Sequence, residues 1–177
     1  MKTLLLDLDG TMYRGTQIMP GGKELIHVLQ EKKHPYLFLT NNSKRTRRQN
    51  AAHMLQMGYE NIQEGDFFTS AMAAAIYVRK HYKERRAFVI GEDGLKEALM
   101  EQGFELCEEQ SDFVFVGLDQ AADYDKYSKA VNELHHGAKL IGTNHDRMLA
   151  QPNGFALGNG SVVAMLEYAS NQKSPCI

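Results

Sequence analysis

The chain has 177 residues, 43% hydrophobic and 24% charged, enough material for one compact domain or two small ones around a real core. Twenty basic residues nearly balance twenty-two acidic ones, and the net charge of −2 argues against a protein dominated by nucleic-acid electrostatics. Cys107 and Cys176 make neither a disulfide framework nor a zinc signature, and no apolar run approaches the roughly 20 residues that cross a bilayer. These features read as a cytoplasmic protein in a reducing compartment, with no membrane and no nucleic-acid partner.

Short apolar runs alternate with helical periodicities, which points to parallel strands joined by helical crossovers, an α/β fold. Residues 4–8 read as the first strand and 36–40 as the second. Between them Leu25, Val28 and Leu29 mark a helix face at i, i+3, i+4. Ala51 and Leu55, with Gly58 behind them, read as a helix closed by a glycine, and Ser70 as the cap of a helix through Ala74, Ala75 and Val78. From about Arg85 a second group follows. Its strands, 88–91, 113–117 and 140–142, each end in glycine. Helices are predicted over 95–102, through Tyr127, Ala130, Val131 and Leu134, and over 162–168. The predicted organisation is a first unit over residues 1–80, a second α/β unit over 81–160, and a return segment over 161–177.

Asp7-Leu8-Asp9-Gly10-Thr11 carries the strongest chemical signal. Strand alternation puts Asp7 and Asp9 on one face while Leu8 points into the core. Both acids fall at the carboxyl end of a buried strand, where open α/β sheets bind ligands. Two carboxylates this close are tolerated when a cation neutralises them or one holds a proton. Gly10 lets the backbone turn away; the bland reading is an acidic strand end before an ordinary Asp-Gly turn. At the end of the second strand, Thr40-Asn41-Asn42-Ser43 offers a hydroxyl and adjacent N–H groups suited to phosphate oxygens, or a plain polar turn. Lys44-Arg45-Thr46-Arg47-Arg48 reads as solvated helix surface in preference to an arginine clamp on substrate phosphates, Gly158-Asn159-Gly160-Ser161 as a capping turn, and His145 as a cap-loop histidine, solvated or functional.

Asp-x-Asp-Gly-Thr followed by Thr-Asn-Asn-Ser resembles the haloacid dehalogenase superfamily. Met12-Tyr13, Thr46-Arg47, Gly91-Glu92-Asp93-Gly94, Val116-Gly117-Leu118-Asp119, Thr143-Asn144-His145-Asp146 and Gly158-Asn159-Gly160-Ser161 are similar to its NagD-like, 4-nitrophenylphosphatase branch, over essentially the whole chain. The resemblance implies a Rossmann-like parallel-sheet core, of which this chain holds the N-terminal part, with a large inserted α/β cap domain. It implies a phosphatase acting on a small-molecule phosphate monoester such as a nucleotide or sugar phosphate. Asp7 would be the nucleophile and Asp9 the acid–base. Mg²⁺ would bind Asp7 and the carbonyl of Asp9. Thr40 and Asn41, with Gly10 at the turn, would hold the phosphoryl group. The cap loop of Thr143, Asn144, His145 and Asp146 would face Asp7 and select the leaving group. A homo-oligomer is left open.

The family's lysine in a Gly-Lys-Pro setting and its later acidic pair have no counterpart in these 177 residues, and Lys173 stands in a different context. With only two strands legible before residue 80, Pro175-Cys176-Ile177 read as the start of another buried strand, so the sequence predicts a polypeptide that continues past Ile177. The alternative function is a catalytically incomplete fragment or a phosphate-binding module without turnover.

Overall fold

The structure, a computed structural model, describes residues 2–151 and 154–177. The chain divides into two compact units: Met1–Thr40 with Arg45–Thr69, and Asn41–Lys44 with Ser70–Ile177.

The first unit is built on β1 (Leu4–Asp7), a short hairpin of β2 (Tyr13–Arg14) and β3 (Gln17–Ile18), α1 (Gly22–Glu31), β4 (Tyr36–Thr40), α2 (Arg47–Gln56) and β5 (Phe67–Thr69). Its sheet is parallel in the order β1-β4-β5. The register aligns Leu6, Phe38 and Phe67 in one row, and the two phenylalanine rings lie 5.1 Å apart. Under that row Leu8, Met12, Tyr13, Ile26, Leu29 and Met54 close the core. On the other side of β1, Leu5 is 60% exposed. A third strand was not anticipated: Phe67-Phe68-Thr69 is too short to show a period, yet it pairs with β4 in register.

Two helix faces differ from expectation. α1 buries Ile26 and Leu29, with Gly22 one turn earlier, whereas Leu25 and Val28 are each 40% exposed. The i, i+3, i+4 spacing identified the helix, but the i+4 and i+7 positions from Gly22 set the buried stripe. α2 opens with a capping box in which Thr46 and Gln49 bond each other's backbone N–H groups. It buries Asn50, Ala51 and Met54 and leaves Leu55 outside, and Gly58 ends the segment at φ +85°.

The second unit comprises α3 (Ser70–His81), β6 (Arg86–Ile90), α4 (Asp93–Glu101), β7 (Glu105–Leu106), β8 (Phe113–Val116), α5 (Tyr124–His135), β9 (Lys139–Gly142), a hairpin of β10 (Met148–Gln151) and β11 (Gly154–Leu157), and α6 (Asn159–Ser170). The sheet is parallel in the order β7-β6-β8-β9. Every residue of β8 is buried, as a central parallel strand requires. Alternation sorts its side chains into two layers. Phe113 and Phe115 meet Ala71, Ala74, Val78, Leu95 and Leu99 of α3 and α4; Val114 and Val116 meet Ala130, Leu134, Val163 and Leu166 of α5 and α6. β7 and the hairpin β10–β11 went unread. One face of that hairpin leaves Met148, Phe155 and Leu157 exposed.

The boundary expected near residue 80 falls at Thr69 instead, because α3 packs on α4 in the core of the second unit. Residues 161–177, expected to be a return segment, include most of α6, which buries Val163 and Leu166 in that same unit. Pro175, Cys176 and Ile177 form no strand, and Ile177 is 40% exposed. No helix among the described residues is long and apolar enough to cross a membrane.

Phe113 is 1% exposed, and its ring lies within 5.3–6.2 Å of those of Tyr82, Phe104 and Phe115. Phe113→Ala should therefore cost about 3–5 kcal/mol, read as a lowered urea midpoint. A midpoint within error of wild type would contradict the central place given to β8.

Candidate active site

Asp7 is the last residue of β1, and the chain then turns tightly around Leu8, which is fully buried. The Leu8 carbonyl accepts the N–H groups of Thr11, Met12 and Tyr13 at 3.2, 2.9 and 3.3 Å, and the Gly10 N–H donates to the Tyr13 carbonyl at 2.7 Å. The turn needs φ +91° at Gly10, a left-handed conformation that favours glycine. A Cβ there would meet nothing within 4 Å, so the demand is conformational and the backbone borders open space. Thr11 Oγ1 donates to Asp7 Oδ2 at 3.2 Å. β1 and β4 are neighbours with Asp7 opposite Leu39, so Thr40, buried, stands one residue beyond at the same carboxyl edge. Asp7, Asp9, Gly10 and Thr40 are thus brought together at the ends of two adjacent strands.

The electrostatics of this edge also involve Tyr13, Arg45 and His53. Burial raises the Asp9 carboxyl above the usual carboxylate range and Asp7 pushes it further, while the Arg45 guanidinium pulls against both. Tyr13, 2% exposed, is pushed up to about 12, first by burial and then by Asp9, so it stays a neutral hydroxyl; Arg45 donates a hydrogen bond to it. The His53 ring stands edge-on to Tyr13 at 5.1 Å, and burial lowers its pKa. Arg45 is not part of a solvated helix surface. It precedes the helix, whose cap is Thr46, and acts on Asp9 and Tyr13 instead. Lys44 is not free surface either: its Nζ lies 3.2 Å from Glu92 Oε1 and donates to Gln120 Oε1 at 2.7 Å. The signal that could have found Arg45 is its place directly behind Thr40-Asn41-Asn42-Ser43.

In the second unit, Asn41 is exposed but held at two points. Its side-chain amide donates to Asp146 Oδ2. Its carbonyl accepts from Asn144 Nδ2 at 2.9 Å and from Ser70 Oγ at 2.8 Å. Two residues on, buried Ser43 accepts the Leu118 N–H at 3.0 Å. The four residues of the candidate cap loop therefore divide. Thr143 is buried, its N–H donating to the Val116 carbonyl at 2.9 Å. Asn144 and Asp146 are turned to Asn41, and His145 is exposed. Two concavities, of about 510 Å³ beside Glu108, Ser111, Lys129 and Glu133 and about 320 Å³ beside Lys23, Ile26 and Tyr59, include none of the candidate residues.

Asp7 and Asp9 provide hard oxygen donors of the kind that suit Mg²⁺, and burial raises the cost of leaving the Asp9 charge without a partner. The chain's own residues fit a cation there as two ligands; among the described residues no group of three or more His, Cys, Asp or Glu forms a metal cluster.

A family profile described as haloacid dehalogenase-like hydrolase matches residues 4–105. The 5'-nucleotidase YutF of Bacillus subtilis is 37% identical over 165 residues, 93% of this chain and 64% of that protein. An acid sugar phosphatase of Staphylococcus epidermidis is 35% identical, over 94% of this chain and 64% of its own length. The chain thus spans just under two thirds of the curated relatives it matches. Among solved structures, a thermostable NPPase double mutant from Geobacillus stearothermophilus superposes with a TM-score of 0.90 at 38% identity, covering 99% of this chain and 69% of the other. A 4-nitrophenylphosphatase from Thermotoga maritima gives 0.90 at 29% identity, over 99% and 67%.

A carboxyl raised in the folded state favours folding fully below the unfolded pKa and loses that contribution as pH rises through the folded one. Asp9→Asn should therefore raise Tm at pH 7 in chelator, and the gain should vanish as pH falls below the ordinary Asp value of 3.8. Thermal scans from pH 3 to 8 test this; a gain that grows toward acid would refute the assignment.

Proposed function

Because the chain belongs to the haloacid dehalogenase-like hydrolases, we propose that it carries the acid pair and the phosphate-binding strand end of a phosphatase for small phosphate monoesters. The observation that carries this reading is the pair Asp7 and Asp9 around the Gly10 turn, with Thr40 at the same edge of the next strand. Asp7, steadied by Thr11, attacks phosphorus to give an aspartyl-phosphate. Asp9, whose carboxyl burial shifts upward, protonates the leaving oxygen and then takes a proton from the water that hydrolyses the intermediate. Thr40 and the backbone at Asn41 hold the phosphoryl oxygens through that step. Asp7 and the carbonyl of Asp9 would hold Mg²⁺, which offsets negative charge when bound.

Relatives named for nucleotides and for sugar phosphates both support a small monoester as substrate class. Leaving-group selection is assigned to the loop of residues 143–146, through exposed His145. A phosphate-binding module without turnover would use the same Thr40 and Asn41, and one assay separates the two readings. Release of inorganic phosphate from 4-nitrophenyl phosphate should require Mg²⁺ and cease in EDTA. Asp7→Asn should lose about 10⁴–10⁶ in rate by analogy with other nucleophile removals. Asp9→Asn should lose roughly 10²–10⁴ and leave phosphate on Asp7. Activity in Asp7→Asn above about a tenth of wild type would rule out the covalent route.

A further inference from the structure

We propose that Asn144 and Asp146 are positioning residues for phosphate binding: they hold Asn41 in the conformation that presents its backbone to the phosphoryl group, and Asn159 sets the loop that carries them. This assignment rests on the reading of Thr40 and Asn41 as phosphate-binding residues and deepens it.

Asn41 is gripped on both sides of its Cα. Asp146 takes the side-chain amide, while Asn144 and Ser70 both donate to the carbonyl, at 2.9 and 2.8 Å. Peptide units are planar, so two donors on the Asn41 carbonyl fix the unit that carries the Asn42 N–H, and the Asp146 bond to the side chain restrains rotation about the Asn41 Cα, which orients its own N–H. The charge of Asp146 decides between its two conceivable roles. A carboxylate touching a phosphate would repel it, whereas a carboxylate spent on an amide donor gains a charge-assisted bond and rigidifies the donor residue. Asn144 is also occupied: its Oδ1 accepts the Asp146 N–H at 3.1 Å, which ties the two gripping residues together.

The loop itself lies against the start of α6. Asn159 is 2% exposed, and its Nδ2 reaches the Val116 and Asn144 carbonyls at 3.0 Å each and Thr143 Oγ1 at 3.3 Å. The Gly160 N–H donates to the Asp146 carbonyl at 2.8 Å, and Gly158 N–H and Ser161 Oγ donate to the Arg147 carbonyl at 2.9 and 2.7 Å. A Cβ at Gly158 would collide with the backbone of Asp146, and one at Gly160 with the backbone of His145. The Gly-Asn-Gly-Ser sequence is thus a seat for the loop, and through Asn144 it reaches Asn41, 103 residues earlier in the chain.

The test compares the full chain with Asp146→Ala, Asp146→Asn and Asn144→Ala. Amide exchange over residues 41–44 is followed by mass spectrometry, and binding of inorganic phosphate by calorimetry. Both alanine variants should exchange faster there and bind phosphate about tenfold more weakly, the scale of one hydrogen bond to a charged group. KM for 4-nitrophenyl phosphate and for a sugar phosphate should rise by the same factor. Asp146→Asn keeps an acceptor and should recover most of the affinity, which a general loss of folding would not allow. Unchanged exchange and phosphate affinity in Asp146→Ala would overturn the proposal. So would an altered ranking of monoesters at unchanged phosphate affinity, since that would make Asp146 a leaving-group contact. If the wild-type chain binds no phosphate, the reading of Thr40 and Asn41 fails; the exchange data then decide the grip on Asn41 alone, faster exchange upholding it and unchanged exchange overturning it.

Discussion

Asp7 and Asp9 carry like charges on one side of a single strand end, and their repulsion must be offset for the edge to exist. The turn around Leu8 commits the backbone there with Gly10 in a left-handed conformation. Arg45 supplies partial compensation, and Tyr13 anchors that guanidinium from a buried position. Arg45 outweighs Asp7 at the Asp9 carboxyl, and what holds that carboxyl above its ordinary range is burial. Two carboxylates on a partly desolvated edge are suited to a cation.

The second unit solves a different problem with purely apolar means. A central strand of Phe113-Val114-Phe115-Val116 has no polar face, so both sides must be roofed by helices. The aromatic side takes alanine-rich α3, whose small residues let the helix approach; the valine side takes α5 and α6. Rigid layers of this kind make a loop at the end of β9 a dependable place to mount side chains.

β1, β4, β6, β8 and β9 were legible in the sequence, as were the six α-helices, because burial imposes its pattern on them. β5, β7 and the hairpin β10–β11 were not. Their pairing is specified by neighbours far away in the chain rather than by their own pattern. The wrong face assigned to α1 has a similar cause: Leu25 and Val28 are as apolar as Ile26 and Leu29, and only the packed structure ranks them. At the candidate site, Asp7, Asp9, Gly10 and Thr40 could be named because their chemistry is local to two strand ends. Arg45, Tyr13 and Asn159 could not, because an arginine in a basic run, a tyrosine in a turn and an asparagine between glycines acquire meaning only through their partners.

The segment Asn41–Lys44 interrupts the first unit yet bonds to the second, through Asn144, Asp146, Leu118, Gly94 and Glu92. On the ribosome this orders events in time. Residues 1–69 emerge first, and the four-residue insert leaves the tunnel with none of its later anchors yet made. Ser70, Glu92 and Gly94 follow soon after, but Asn144 and Asp146, which complete the hold on Asn41, arrive 103 and 105 residues later. The stretch read here as holding phosphate therefore acquires its final shape only near the close of synthesis of these 177 residues, so a nascent chain halted before Asn144 would carry its acids without a formed cradle.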